Sequence, residues 1–112
     1  METSYFAKSG NNVNAVSIAL YTPKWFTGKQ YKTLAPPKHL LDLYKVGKIG
    51  EEAYDEIYHR RVLWFLRPQN ILEELGNDAI LLCYEKPEKF CHRHIVANWL
   101  MKHTGIMVEE VV

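Results

Sequence analysis

Five consecutive apolar residues, Ala79 to Cys83, then a polar loop, then an amphipathic stretch from Cys91 to His103, constrain this chain more than any other feature. A short apolar run that follows turn residues (Asn77-Asp78) reads as a strand buried on both faces, as in a parallel sheet covered by helices. In the stretch beyond it Ile95, Val96, Trp99 and Leu100 recur at helical spacing, and Gly105 is placed to cap the helix. A strand, a loop and a helix in that order predict an α/β domain. They also predict a small-molecule or anion site where the loop meets the helix N-terminus.

The rest of the chain fits that class. Val13 to Leu20 reads as a second buried strand, and turn chemistry at Ser9-Gly10-Asn11-Asn12 predicts that Thr3 to Ala7 pairs with it as a short edge strand. Tyr21 to Pro37, broken by Pro23, Gly28, Pro36 and Pro37, reads as a long irregular loop, a kind of segment that is often functional. Helices are expected over about Lys38 to Val46, closed by Gly47, and from Pro68 to Gly76. Another is expected after Gly50, with Tyr54, Ile57, Tyr58, Val62 and Phe65 on its apolar side. Ile106 to Val112 is β-branched and predicts a last strand, reached by a right-handed parallel crossover. No repeat or linker interrupts the 112 residues. The expectation is one small three-layer α/β domain over 1–112, its mostly parallel sheet flanked by helices.

Charge narrows the partners. The formal net charge is +1, so no global field draws the chain to nucleic acid or membrane, and neither is expected as a partner. Thr22 to Lys48 nevertheless carries six lysines against one acid, Asp42. That segment reads either as a solvated surface or as an anion-facing patch. No apolar run approaches the ~18 residues of a membrane span, and Met1 to Phe6 lacks the basic start of a signal peptide. Two cysteines in such a chain predict reduced thiols and a cytoplasmic location.

The candidate site follows from strand and helix periodicity. Alternation puts Cys83 and Glu85 on one strand face with Tyr84 opposite. Cys91 falls at the helix start, where unpaired N–H groups favour an anion or a thiolate. Arg93 adds a forked cation suited to phosphate or carboxylate, and His92 lies at the edge of the buried stripe. Each residue also has a plain reading: Cys83 as a small core residue, His92 as a buried hydrogen-bonding group, Arg93 paired with Glu85 or Glu88. The chemistry is open in three directions. Cys91 can serve as nucleophile or redox thiol while Glu85 or His92 moves protons. Cys83, Cys91 and His92, with or without Glu85, can bind zinc, although C-x7-C-H is unlike the usual C-x2-C knuckles. Cys83 and Cys91 can form a disulfide, which a reducing compartment disfavours. The first direction is the expectation, without metal or cofactor. Cys91, Glu85 and His92 are then the catalytic candidates, and Arg93, Cys83, Lys29 and Tyr31 would bind an anionic, nucleotide-like molecule. The alternative is a non-catalytic module that holds a protein or nucleic acid through the same lysine and aromatic loop.

Leu81-Leu82-Cys83-Tyr84-Glu85, followed by Phe90-Cys91-His92-Arg93 and an apolar helix, resembles the signature of the bacterial and phage family known as domain of unknown function 488. The similarity runs from Val16 to Glu109 and includes Phe26 to Tyr31, Leu34-Ala35-Pro36 and Glu52-Ala53-Tyr54. The resemblance implies an α/β fold, a small cytoplasmic protein and Cys83, Glu85, Cys91, His92 and Arg93 as signature residues. It implies no particular activity. Longer members end their first strand with Asp-Val-Arg, where this chain has Leu20-Tyr21-Thr22. That departure implies a changed or lost function if the missing pair matters elsewhere.

Overall fold

The computed structural model describes all residues, 1–112. Five strands form the sheet: β1 (Glu2–Tyr5), β2 (Ala15–Ser17), β3 (Lys29–Gln30), β4 (Ile80–Cys83) and β5 (Glu109–Glu110). Their order is β3-β2-β4-β1-β5, and every neighbouring pair is parallel. The helices are α1 (Phe6–Ser9), α2 (Lys38–Lys45), α3 (Glu51–Arg61), α4 (Pro68–Leu75) and α5 (His92–Thr104).

Alternation along β4 sends its side chains into two separate cores. Leu81 packs with Val16, Ile18, Tyr54, Tyr58, Ile71, Val96 and Leu100 under the helices α2 to α5. Ile80 and Leu82 face the other way, onto Phe6 of α1, Ala15, Ala19 and Phe26. The result is three layers with the sheet in the middle, as the apolar run of β4 requires. On the thinner side Gly10 has no side chain to collide with the Trp25 ring, which seats directly on it.

Tyr58 anchors the thicker side. Its ring is fully buried and its hydroxyl donates to the Leu34 carbonyl at 2.6 Å. Tyr58→Phe strands that carbonyl in the core, so urea denaturation should register a loss of about 1–2 kcal/mol.

Several elements differ from the sequence expectation. The first strand is no hairpin partner of the second: β1 lies between β4 and β5, and α1 carries the chain across to β2. The turn read at Ser9 to Asn12 is present, closed by the Asn12 N–H donating to the Ser9 carbonyl at 3.0 Å, but it follows the four-residue helix α1 and leads into β2 as part of a crossover. β2 keeps only Ala15 to Ser17 of the expected Val13–Leu20 run, with Val13 exposed. The Tyr21–Pro37 loop contains β3 and a 3-10 turn, Lys32–Leu34. A second 3-10 turn, Leu63–Phe65, breaks the α3 period, buries Leu63 and turns Phe65 out to solvent. β5 is two residues long because only Glu109 and Glu110 pair, with β1. Gly47, Gly76 and Gly105 adopt positive φ at the ends of α2, α4 and α5, as the cap reading requires.

Candidate functional site

The chain continues from β2 to β3 at one edge of the sheet but from β4 to β5 at the other. Between the C-terminal ends of β2 and β4 the topology therefore switches direction, which is where open α/β sheets form their binding crevice. A hollow of about 670 Å³ opens there. Ala19 to Tyr21 line it from beyond β2, Cys83 to Glu85 from beyond β4, and Phe90 to His92 from the start of α5. Tyr44 and Tyr54 complete the wall with Phe90; these three rings pack on one another at centroid distances of 5.0 to 5.4 Å. Lys45 stands among the lining residues.

Cys91 is the residue preceding the first turn of α5, and both it and Cys83 are buried in the hollow's wall. The two sulfurs are in contact across eight positions of chain. A reducing compartment disfavours a bond between them; the strand–loop–helix geometry brings the sulfurs together by folding Tyr84 to Phe90 back over the strand end.

His92 is buried beside them. Its Nε2 donates to the Ile18 carbonyl at 2.7 Å, which fixes the tautomer and leaves the Nδ1 lone pair 3.8 Å from the Cys91 sulfur. Burial, helped by the charges of Arg93 and His94 and opposed by the Ile18 hydrogen bond, lowers its pKa to about 4. The ring is neutral at pH 7. It holds the Ile18 carbonyl and leaves Nδ1 free to accept from a reduced Cys91 thiol, but so weak a base takes little part in abstracting a proton at neutral pH.

Arg93 has no exposure at all. Its Nε and one terminal nitrogen donate to the two carboxylate oxygens of Glu110, at 3.1 and 2.8 Å, and the other terminal nitrogen donates to the Cys83 sulfur at 3.0 Å. Thr3 adds a 2.6 Å hydrogen bond to Glu110. Burial alone would raise the Glu110 pKa; the hydrogen bonds from Arg93 and Thr3 and the Arg93 charge outweigh it and hold the carboxyl below its ordinary value. The guanidinium thus faces Glu110 and sulfur, in place of the open anion or the Glu85 and Glu88 partners considered from sequence.

Of the expected site residues, Cys83, Glu85, Cys91 and His92 line the hollow, with Glu85 exposed at its mouth, and Arg93 stands directly behind Cys83. Lys29 and Tyr31 do not line it. Tyr31 donates to the Glu74 carboxylate and Lys29 to the Glu74 carbonyl at 3.4 Å, so both tie the β3 edge to α4. Burial first, then the Glu74 hydrogen bond and charge, push the Tyr31 pKa up to about 12. Sequence reasoning missed Tyr44, Tyr54, Ile18 and Glu110. For Glu110 a signal existed: an acidic pair inside an otherwise β-branched tail. The Cys83, Cys91 and His92 ligand atoms lie within 4.8 Å of one another, so a soft divalent cation is the metal this donor set would suit once the sulfurs are reduced.

An all-parallel α/β protein with a cysteine pair at its topological switch point is the class that fold and site define. The chain belongs to the DUF488 family: the family model described as the active DUF488-N3 subclade matches residues 21–104, which include every residue of the Cys83–Arg93 site. No curated protein and no solved structure matches it. No helix is long and apolar enough to cross a membrane.

Proposed function

We propose that this chain is a thiol-dependent enzyme acting on a small anionic, nucleotide-like ligand in the hollow at the ends of β2 and β4. One observation carries the reading: Cys91 sits in the wall of an aromatic hollow at the N-terminus of a full helix, with Cys83 in bonding reach. Tyr44, Tyr54 and Phe90 supply stacking surface for a base-like ring. Lys45 and the first turn of α5 supply positive potential for a phosphate. The description of the matching subclade as active is in keeping with a working site.

In this reading a dithiol reductant opens the bridge. Its two thiols become a disulfide, and Cys83 and Cys91 each gain a hydrogen. Cys91, oriented by His92 Nδ1, then acts as the nucleophile, and Glu85 at the mouth exchanges protons with solvent. Arg93 stabilises negative charge on Cys83, which makes it the better leaving sulfur when the pair closes and reopens. A reducing cytoplasm would hold the pair open and the site ready.

Alkylation of the reduced, folded protein with iodoacetamide, read residue by residue by mass spectrometry, tests this. Cys91 should be labelled before Cys83, and adenosine monophosphate should slow the labelling. Slow, equal labelling of both thiols with no protection by the nucleotide or by inorganic phosphate overturns the reading. Stoichiometric zinc that blocks labelling until a chelator removes it would replace the enzyme with a metal site.

A further inference from the structure

A second concavity lies away from the cysteine site, between the C-terminal halves of α3 and α5. It measures about 490 Å³ and is lined chiefly by His59, Arg60, Trp64, Trp99, Lys102 and His103, with no acidic residue in its wall. Trp64 and the adjacent Phe65 are 80% and 75% exposed, more than any other aromatic residue of the chain. The cations have an ordinary explanation, since they sit in the last turns of two helices and offset their dipoles. The aromatics do not. The 3-10 turn that buries Leu63 leaves two large rings in water, Trp64 in the wall of the concavity and Phe65 just outside it, a costly arrangement for a surface with no partner.

From this juxtaposition we infer that Trp64 and Phe65, with Arg60 and Lys102, form a binding surface for single-stranded nucleic acid. Bases stack on the two rings and phosphates lie against the two permanent cations. Stacking platforms interleaved with positive charge are how sequence-tolerant single-strand binders work. Trp64 in the concavity's wall is displayed on the surface while Trp99 is buried beneath, so the site suits flat bases stacked on an exposed ring better than the single anchored side chain of an acidic peptide. Asp55 and Glu56 stand one turn back, where they pair with His59 at 3.2 Å and Arg60 at 3.5 Å. Phosphates therefore compete with Glu56 for Arg60, and with a net charge of only +1 the binding is weak and local.

Fluorescence anisotropy of a labelled oligothymidylate, titrated with the full chain over a range of salt concentrations, tests the inference. Two phosphate contacts on a single strand give a slope of log K against log salt of about −1.4. Trp64→Ala and Phe65→Ala, both at exposed positions and checked for folding by circular dichroism, should each weaken binding about tenfold. Arg60→Ala with Lys102→Ala should flatten the salt dependence. Absence of binding at low salt, affinity unchanged in Trp64→Ala, or displacement of the oligonucleotide only by an acidic aromatic peptide would each overturn it.

Discussion

Glu110→Gln lowers the free energy of unfolding by about 3 kcal/mol and the melting temperature by about 12 °C. The replacement keeps the shape of the side chain and removes only its charge. What remains is a guanidinium with no exposure, whose two donors to the carboxylate now meet a neutral amide. Removing one member of a buried ion pair is expensive because the other charge stays behind without compensation. The figure belongs near the low end of that class, since Glu110 keeps 22% of its side-chain surface exposed. Replacing both members, Arg93→Met with Glu110→Leu, should recover most of the loss, because an apolar pair needs no compensation. The acid side follows from the depressed Glu110 pKa. Its contribution is complete above the unfolded carboxyl value and disappears as pH falls through the lower folded value. Chemical denaturation of the single and double variants checks all of this. A single-variant loss below about 1 kcal/mol would mean that water reaches the pair.

Acid costs the protein about 3 kcal/mol at His92 alone between pH 7 and pH 4. The folded ring resists protonation down to about 4, while the unfolded ring takes up its proton near 6.5. Within that window the unfolded state binds the extra proton, so stability falls as pH falls. Above 6.5 the effect vanishes. His92→Gln, whose side-chain amide can still donate to the Ile18 carbonyl, should remove most of the slope. His94, lowered in pKa by burial and by Arg93, supplies the remainder with the same sign. Urea midpoints measured across the window decide it: a level wild-type profile would show that the ring is solvated.

The strand–loop–helix unit was legible because its information is local. Ala79 to Cys83, the Cys91 start and the Gly105 cap each depend on neighbours within a turn or two, and β4 and α5 fall within a residue of expectation. Strand pairing is not local. Nothing within Met1 to Ala7 says that β1 will lie against Leu81, Leu82 and Cys83, so a nearby turn signal yielded a hairpin in place of a crossover. The same limit governed Arg93. Its charge predicts a partner, but two acids a few residues upstream competed on paper with one that only the last strand brings close. Lys29 and Tyr31 failed to reach the hollow because the loop assigned to them contains a strand that fixes them at the sheet edge. For Trp64 and Phe65 the helical period simply stops at Val62.

The hydrogen bond from His92 to Ile18 links the start of one helix to the chain leaving a strand that is not its neighbour in sequence. It spans the crevice as a cross-brace, and Ile18 is fastened a second time through its own N–H to the Leu82 carbonyl at 3.0 Å. The two banks of the cleft cannot part without breaking that brace and leaving a buried imidazole and a buried carbonyl unpaired. On the function proposed above, a slot of fixed gauge would select its ligand by thickness, with no closing motion.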